Sequence, residues 1–255
     1  MTMRFTILGS GSSGGVPRIG GFWGACDPHE PKNRRRRCSL LVERWEDDPA
    51  KKTSVLVDTS PDMREQLIDT GTQWIDGVLF THDHADQSHG IDDLRMVAYT
   101  SETLMTRFGY CFQTPEGSSY PPILNAHLMK PGKRVTIQGE GGPITALPFD
   151  QDHGDIRSLG FRFGSVAYSA DLVGLPEESF SALEGIDCWI VDALRYKPHP
   201  SHAHVELALS WLDRLKVRRG VLTNLHVDLD YQTLAGELPA GREPAYDGMV
   251  LEYEE

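Results

Sequence analysis

The stretch Gly77-Val78-Leu79-Phe80-Thr81-His82-Asp83-His84-Ala85-Asp86-Gln87-Ser88-His89-Gly90 decides how the rest of the chain is read. Its first four residues form a short apolar run, which reads as a buried strand. Imidazoles and carboxylates follow at once. Side chains two apart just past a strand end point the same way, so His82 and His84 converge and Asp86 turns in beside them. Imidazole and carboxylate are the donors of zinc, manganese and iron sites. A lone histidine is more often structural or solvated. His82, His84 and Asp86, within five residues at a strand end, are not accounted for by packing.

The same arrangement recurs downstream. His153 follows an apolar run at 144–149, Asp171 follows one at 166–168, and His226 follows Val221-Leu222-Thr223. A catalytic metal centre gathers its ligands in this way, from several strand ends onto one sheet edge. Further strands are predicted at Phe5-Thr6-Ile7-Leu8, Ser39-Leu40-Leu41-Val42, Ser54-Val55-Leu56-Val57 and Cys188-Trp189-Ile190-Val191, and around 134–138 and 160–163. A helix is predicted from Ser60 as N-cap, with Pro61 at its first position and Gly71 just past its end. Helical stretches are also expected over 86–94, 102–108, 205–215 and after Pro176. No repeat, low-complexity linker or boundary divides the chain, so one layered α/β domain over 1–255 is expected.

Composition narrows the function classes. The 255 residues carry 25 Lys plus Arg against 37 Asp plus Glu, a formal charge of −12. That balance argues against a dedicated nucleic-acid binder. Cys26, Cys38, Cys111 and Cys188 have no paired short spacing, which disfavours a disulfide framework or a four-cysteine zinc knuckle. No leader-like segment or bilayer-length apolar run is seen, so a soluble cytoplasmic protein without membrane attachment is expected. The run Gly9-x-Gly11-x-x-Gly14 matches a dinucleotide fingerprint, but Pro17 and further glycines follow where a helix would have to start. A tight loop near the rim of the site is the reading adopted.

With these residues in hand, the chain resembles the metallo-β-lactamase superfamily of metallohydrolases. Thr81-His82-Asp83-His84-Ala85-Asp86 is similar to its H-x-H-x-D-H signature, and the likeness covers nearly the whole chain. Gly9 to Gly15, Asn33-Arg34-Arg35-Arg36-Arg37-Cys38-Ser39 and His89-Gly90-Ile91-Asp92-Asp93-Leu94-Arg95 look most like the cyclic phosphodiesterase branch, which acts on phosphoribosyl 1,2-cyclic phosphate in phosphonate breakdown. The resemblance implies a four-layer αββα sandwich with a dinuclear centre at one sheet edge. It assigns His82, His84 and His153 to a first metal, Asp171 to the bridge, and Asp86 and His226, with position 87, to a second. The signature has His at that position and this chain has Gln87. An amide oxygen is a weaker zinc ligand than imidazole, so the cofactors expected are two divalent ions, Zn²⁺ or Mn²⁺, the second weakly held. His89 is read as packing or a substitute ligand. Only Cys26 remains of a cysteine-rich N-terminal zinc site, so none is expected there.

The implied chemistry is hydrolysis of a small cyclic phosphate or nucleotide-like ester, with a proton supplied to the leaving oxygen. The resemblance puts the catalytic histidine at His202, with His204 as the alternative, in His199-Pro200-Ser201-His202-Ala203-His204; Asp86 is the third candidate catalytic residue. Asp58, Asp192 and Asp228 are candidates to orient ligands. Asp92, Asp93 and Arg95 are read as an internal ion pair. The run Arg34 to Arg37 is either solvated and salt-bridged or in contact with substrate phosphate. Three other readings stay open: a tRNA 3′-processing endonuclease, a thioester or lactone hydrolase of the same fold, and a non-enzymatic metal- or nucleotide-binding protein. His153 and Asp171 stand eighteen positions apart, which leaves no room for the long arm of the endonucleases, and long nucleic acid is not the expected partner. The family suggests a homodimer, which no residue of this chain shows.

Overall fold

The computed structural model describes residues 1–91, 96–100, 102–114, 116–117, 122 and 124–254. The ion pair predicted for Asp92, Asp93 and Arg95, and the end of the helical stretch predicted over 86–94, lie outside them.

Two seven-stranded sheets pack face to face. The first runs β14 (Met249–Glu254), β1 (Thr2–Gly9), β2 (Ser39–Trp45), β3 (Thr53–Val57), β4 (Gly77–Leu79), β5 (Met96–Thr100), β6 (Leu124–Leu128). The second runs β13 (Arg242–Pro244), β12 (Arg219–Thr223), β11 (Cys188–Asp192), β10 (Val166–Ser169), β9 (Ile156–Phe163), β8 (Ile144–His153), β7 (Val135–Ile137). Strand side chains alternate between faces, and in β2, β3 and β11 both faces are buried. Leu40 and Val42 of β2 join the core between the sheets, whereas Leu41 faces outward. In β11, Cys188 and Ile190 point inward, and Trp189 and Val191 point out.

Helices cover both outer faces. α1 (Met63–Asp69), α3 (Glu102–Arg107) and α4 (Gly109–Phe112) bring Met63, Leu104, Cys111 and Phe112 onto Leu41, Leu56 and Val78. On the other side lie α5 (Glu177–Leu183), α6 (Val205–Arg214) and α7 (Tyr231–Glu237). In α6, Val205, Ala208, Trp211 and Leu212 are buried at helical spacing. Trp211 stacks on Trp189 with ring centroids 6.2 Å apart. The four layers αββα follow. Among the described residues no helix is long and apolar enough to cross a membrane.

Local chemistry moves some predicted boundaries. α1 starts at Met63 rather than Pro61, because Ser60 Oγ accepts from Asp62 N at 3.1 Å and keeps that turn outside the helix. α2 (Ala85–Ser88) is a single turn. It ends before Gly90, where a Cβ would lie 2.5 Å from Ser60 O. The glycine loop after β1 opens no helix. A Cβ at Gly11 would lie 2.8 Å from Arg35 Cβ, so this position admits only close backbone approach.

Connectivity sets the site. β3 pairs with β4 in parallel, as do β10 with β11 and β11 with β12. Their C-terminal ends therefore reach one edge of the sandwich, the usual location of sites in parallel sheets. Asp58, Asp171 and Asn224 at that edge hold left-handed backbone, with φ of 63°, 54° and 62°. Asp and Asn are among the few side chains that adopt it readily.

Candidate metal centre

The ligand atoms of His82, His84 and His153 lie within 4.8 Å of one another. His82 and His84 leave the end of β4, and His153 is the last residue of β8. Hydrogen bonds fix which nitrogens are free. Asp58, fully buried at the end of β3, accepts from Thr81 N at 2.8 Å and from Thr81 Oγ1 at 2.9 Å. Thr81 Oγ1 is in turn 2.9 Å from His82 Nδ1. This chain of contacts turns His82 Nε2 toward the cluster, where it is buried without a partner. His153 Nδ1 donates to Ser201 O at 2.7 Å, which likewise leaves its Nε2 free. Burial, with the neighbouring imidazoles, holds His82 well below the usual histidine range, so it is a neutral donor. Burial also lowers His153. Three imidazoles with orphaned or uncommitted nitrogens fit a divalent ion, and their chemistry suits zinc.

A second group, His153, Asp171 and His202, shares His153 with the first. His202 Nδ1 is 2.9 Å from Asp192 Oδ2 and 3.5 Å from Asp171 Oδ1. Asp192 Oδ2 also accepts from Leu172 N at 3.2 Å, so the carboxylate is itself fixed. Burial opposes the imidazolium, but Asp192, Asp171 and Asp86 outweigh it and push His202 up to about 9. Burial raises Asp171, and burial together with Asp171 raises Asp86.

The residues expected around a second ion are arranged otherwise. Gln87 turns its amide nitrogen, not its oxygen, toward the centre, and donates to Asp171 Oδ2 at 2.8 Å. His226 stands in neither group. Its Nε2 meets the Arg18 guanidinium, and its Nδ1 lies 3.0 Å from Asp228. The residue that β12 turns toward Asp171 is Asn224, whose Nδ2 is 3.2 Å from Asp171 Oδ1. Sequence reasoning passed over Asn224 by looking for an imidazole. The signal was its position, directly after Thr223 at the strand end. Asp192, which closes β11, satisfies the same rule.

Other expectations resolve by location. His204 caps the start of α6 and stands in neither cluster, unlike His202. His89 packs edge-on against Phe108 at 6.0 Å. The arginine run is internal wiring rather than an anion surface. Arg35 is 2% exposed, Arg36 pairs with Asp69 at 2.8 Å and with Asp247, and Arg37 pairs with Asp62 at 2.8 Å. Only Arg34 of the four is exposed.

Comparisons with known proteins bear on this site. The family model described as "Beta-lactamase superfamily domain" matches residues 53–224. A structure described as a new diphosphatase from the PhnP family is 33% identical, with a TM-score of 0.84 over 99% of this chain and 98% of its own. Zinc-bound PqqB from Methylobacterium extorquens shares the fold, at 16% identity and a TM-score of 0.74 over 97% of this chain and 99% of that one. So does the human short-form tRNase Z, at 17% and 0.64 over 97% and 98%. Among curated proteins, an octanoyltransferase of Porphyromonas gingivalis is 31% identical over 263 residues, which cover 97% of this chain. The chain spans about half of that relative, 51% of its length.

Proposed function

Given that the chain belongs to the metallo-β-lactamase-fold superfamily, close to its PhnP-family branch, we propose that it is a metal-dependent hydrolase of small phosphate esters. His82, His84 and His153 would hold the ion, with Asp171 beside them. A divalent ion bound there supplies Lewis acidity and lowers the pKa of water. His202 would protonate the leaving oxygen from Nε2, since Nδ1 is committed to Asp192. Asp192 keeps that ring oriented and charged. Asp86 and Asp171 add negative charge that favours a cationic ion and a protonated His202 over an anionic side chain in the same space.

The observation that carries this reading is the position of His202, held by Asp192 and grouped with Asp171 and with His153, which also belongs to the three-imidazole group. Support for phosphate comes from the PhnP-family diphosphatase and its 33% identity. The formal charge of −12 favours a small ester over a polymeric one. One domain over 1–255 is part of the same reading.

A substrate panel tests it. The panel contains a cyclic ribose phosphate, a linear phosphodiester, a diphosphate, a lactone, an octanoyl thioester and a precursor tRNA, each with Zn²⁺ and with Mn²⁺. The expected result is turnover of a small phosphate compound that a chelator abolishes. The thioester is included because the curated relative is named for acyl transfer. Cleavage of the lactone or thioester alone would move the chain to acyl chemistry.

A further inference from the structure

We propose that this centre binds one metal ion per chain, and that the amide groups of Gln87 and Asn224 take the place of a second. The inference rests on the metal-dependent reading above and fixes how many ions that reading needs.

The first position has what an ion requires. His82 Nε2 is buried and unpartnered, and His153 has its Nδ1 tied to Ser201 O. On the far side of Asp171, Gln87 Oε1 is also buried without a partner, but the atoms turned toward the carboxylate are amide nitrogens. Gln87 Nε2 donates to Asp171 Oδ2 at 2.8 Å, and Asn224 Nδ2 lies 3.2 Å from Asp171 Oδ1. Each oxygen of the carboxylate thus faces an NH₂ group. An amide nitrogen is a donor only, with no lone pair to give a cation. Reversing Gln87 would set its oxygen against Asp171 Oδ2 and lose the hydrogen bond. Asn224 is further oriented by its own oxygen, which lies 3.8 Å from Cys38 Sγ.

Charge leads to the same conclusion. Asp171 is buried at 3% exposure and needs compensation for its negative charge. Two amide donors give each of its oxygens a hydrogen bond without an ion. The imidazole expected to complete a second site is engaged elsewhere, since His226 contacts Arg18 and Asp228. Among the described residues, no imidazole besides His153 and His202 shares a metal-capable group with Asp171.

Metal counting tests the proposal directly. The purified chain is stripped with chelator, reloaded with excess Mn²⁺ or Zn²⁺, dialysed and assayed by elemental analysis. The expected content is one equivalent, and the Mn²⁺ form is expected to show the paramagnetic resonance spectrum of an isolated ion. Two equivalents, or the spectrum of a coupled pair, overturn the proposal. A content of zero overturns it together with the metal-dependent reading. The double variant Gln87→His, Asn224→His is then expected to double the content. Histidine is, with Asn and Asp, among the non-glycine residues enriched in left-handed backbone, the conformation of position 224 at its φ of 62°. A folded double variant that still takes up one equivalent also overturns the proposal. If that variant does not fold, the wild-type count and spectrum decide alone.

Discussion

Replacing Arg35 by Met should cost stability out of proportion to its distance from any strand of the core. The side chain is 2% exposed, and its guanidinium serves a loop that is distant in sequence. Nη2 donates to Leu229 O at 2.8 Å and to Asn33 Oδ1 at 3.0 Å, and Nη1 donates to His226 O at 3.3 Å. Methionine keeps the aliphatic volume and removes every donor. Losing the bond to Leu229 O leaves that buried carbonyl with only the weak Cys26 thiol, at about 1–3 kcal/mol, whereas Asn33 Oδ1 keeps Tyr231 N at 2.8 Å. Relief works the other way, because burial pushes the Arg35 guanidinium down from its usual range and that strain disappears with the charge. The net expectation is a loss of ~2 kcal/mol, or roughly 4–8 °C in Tm for a chain of this size. Urea unfolding of wild type, Arg35→Met and the exposed control Arg34→Ala measures it. Arg34→Ala should stay within about 0.5 kcal/mol of wild type. An Arg35→Met variant within about 1 kcal/mol of wild type would refute the assignment of the arginine as the tie between 33–37 and the loop after β12.

Two further outcomes follow from the geometry. His202→Ala should lower turnover by about 10²–10⁴-fold, the usual worth of a general acid, while bound metal measured by elemental analysis stays unchanged; retained turnover would remove His202 from the chemistry. Asp230 caps α7, and partial burial is outweighed there by hydrogen bonds from Thr233, Asn33 and Asp27, which hold its carboxyl down at about 2. A carboxyl held low stabilises the fold above its unfolded pKa, and that stability is lost as pH falls from about 4 to about 2. After discounting for solvent screening the contribution is ~1 kcal/mol. The stability gap between wild type and Asp230→Ala, read from urea midpoints, should therefore narrow over that interval. A gap that is constant with pH would count against the charge.

How much of this was legible in the sequence differs from residue to residue. The pairing of His82 with His84 was readable because their spacing is local to one strand end, while Asp86 stands in neither metal-capable group. The buried strands announced themselves by apolar runs such as Leu40-Leu41-Val42, which face a core on one side and helices on the other. β14 was missed because Met249 and Leu251 alternate with outward residues in an acidic stretch, a pattern too short to stand out. The arginine run left two readings open for another reason. Its partners Asp62, Asp69, Asp247 and the carbonyl of Leu229 come from three distant parts of the chain, and composition cannot show which carboxylate meets which cation. Asn224 was passed over because the search weighed residue type above position.

The left-handed residues at the strand ends have an evolutionary consequence. At Asp58, Asp171 and Asn224 the backbone itself restricts the side chain to a small set, in which aspartate and asparagine are near-equal in shape. Their codons differ by a single base. A carboxylate can therefore become an amide, or the reverse, without any shift of the main chain. The charge presented at this edge is thus open to stepwise drift while the sandwich behind it stays constant. One scaffold can in this way explore different ion requirements without first passing through an unfolded intermediate sequence.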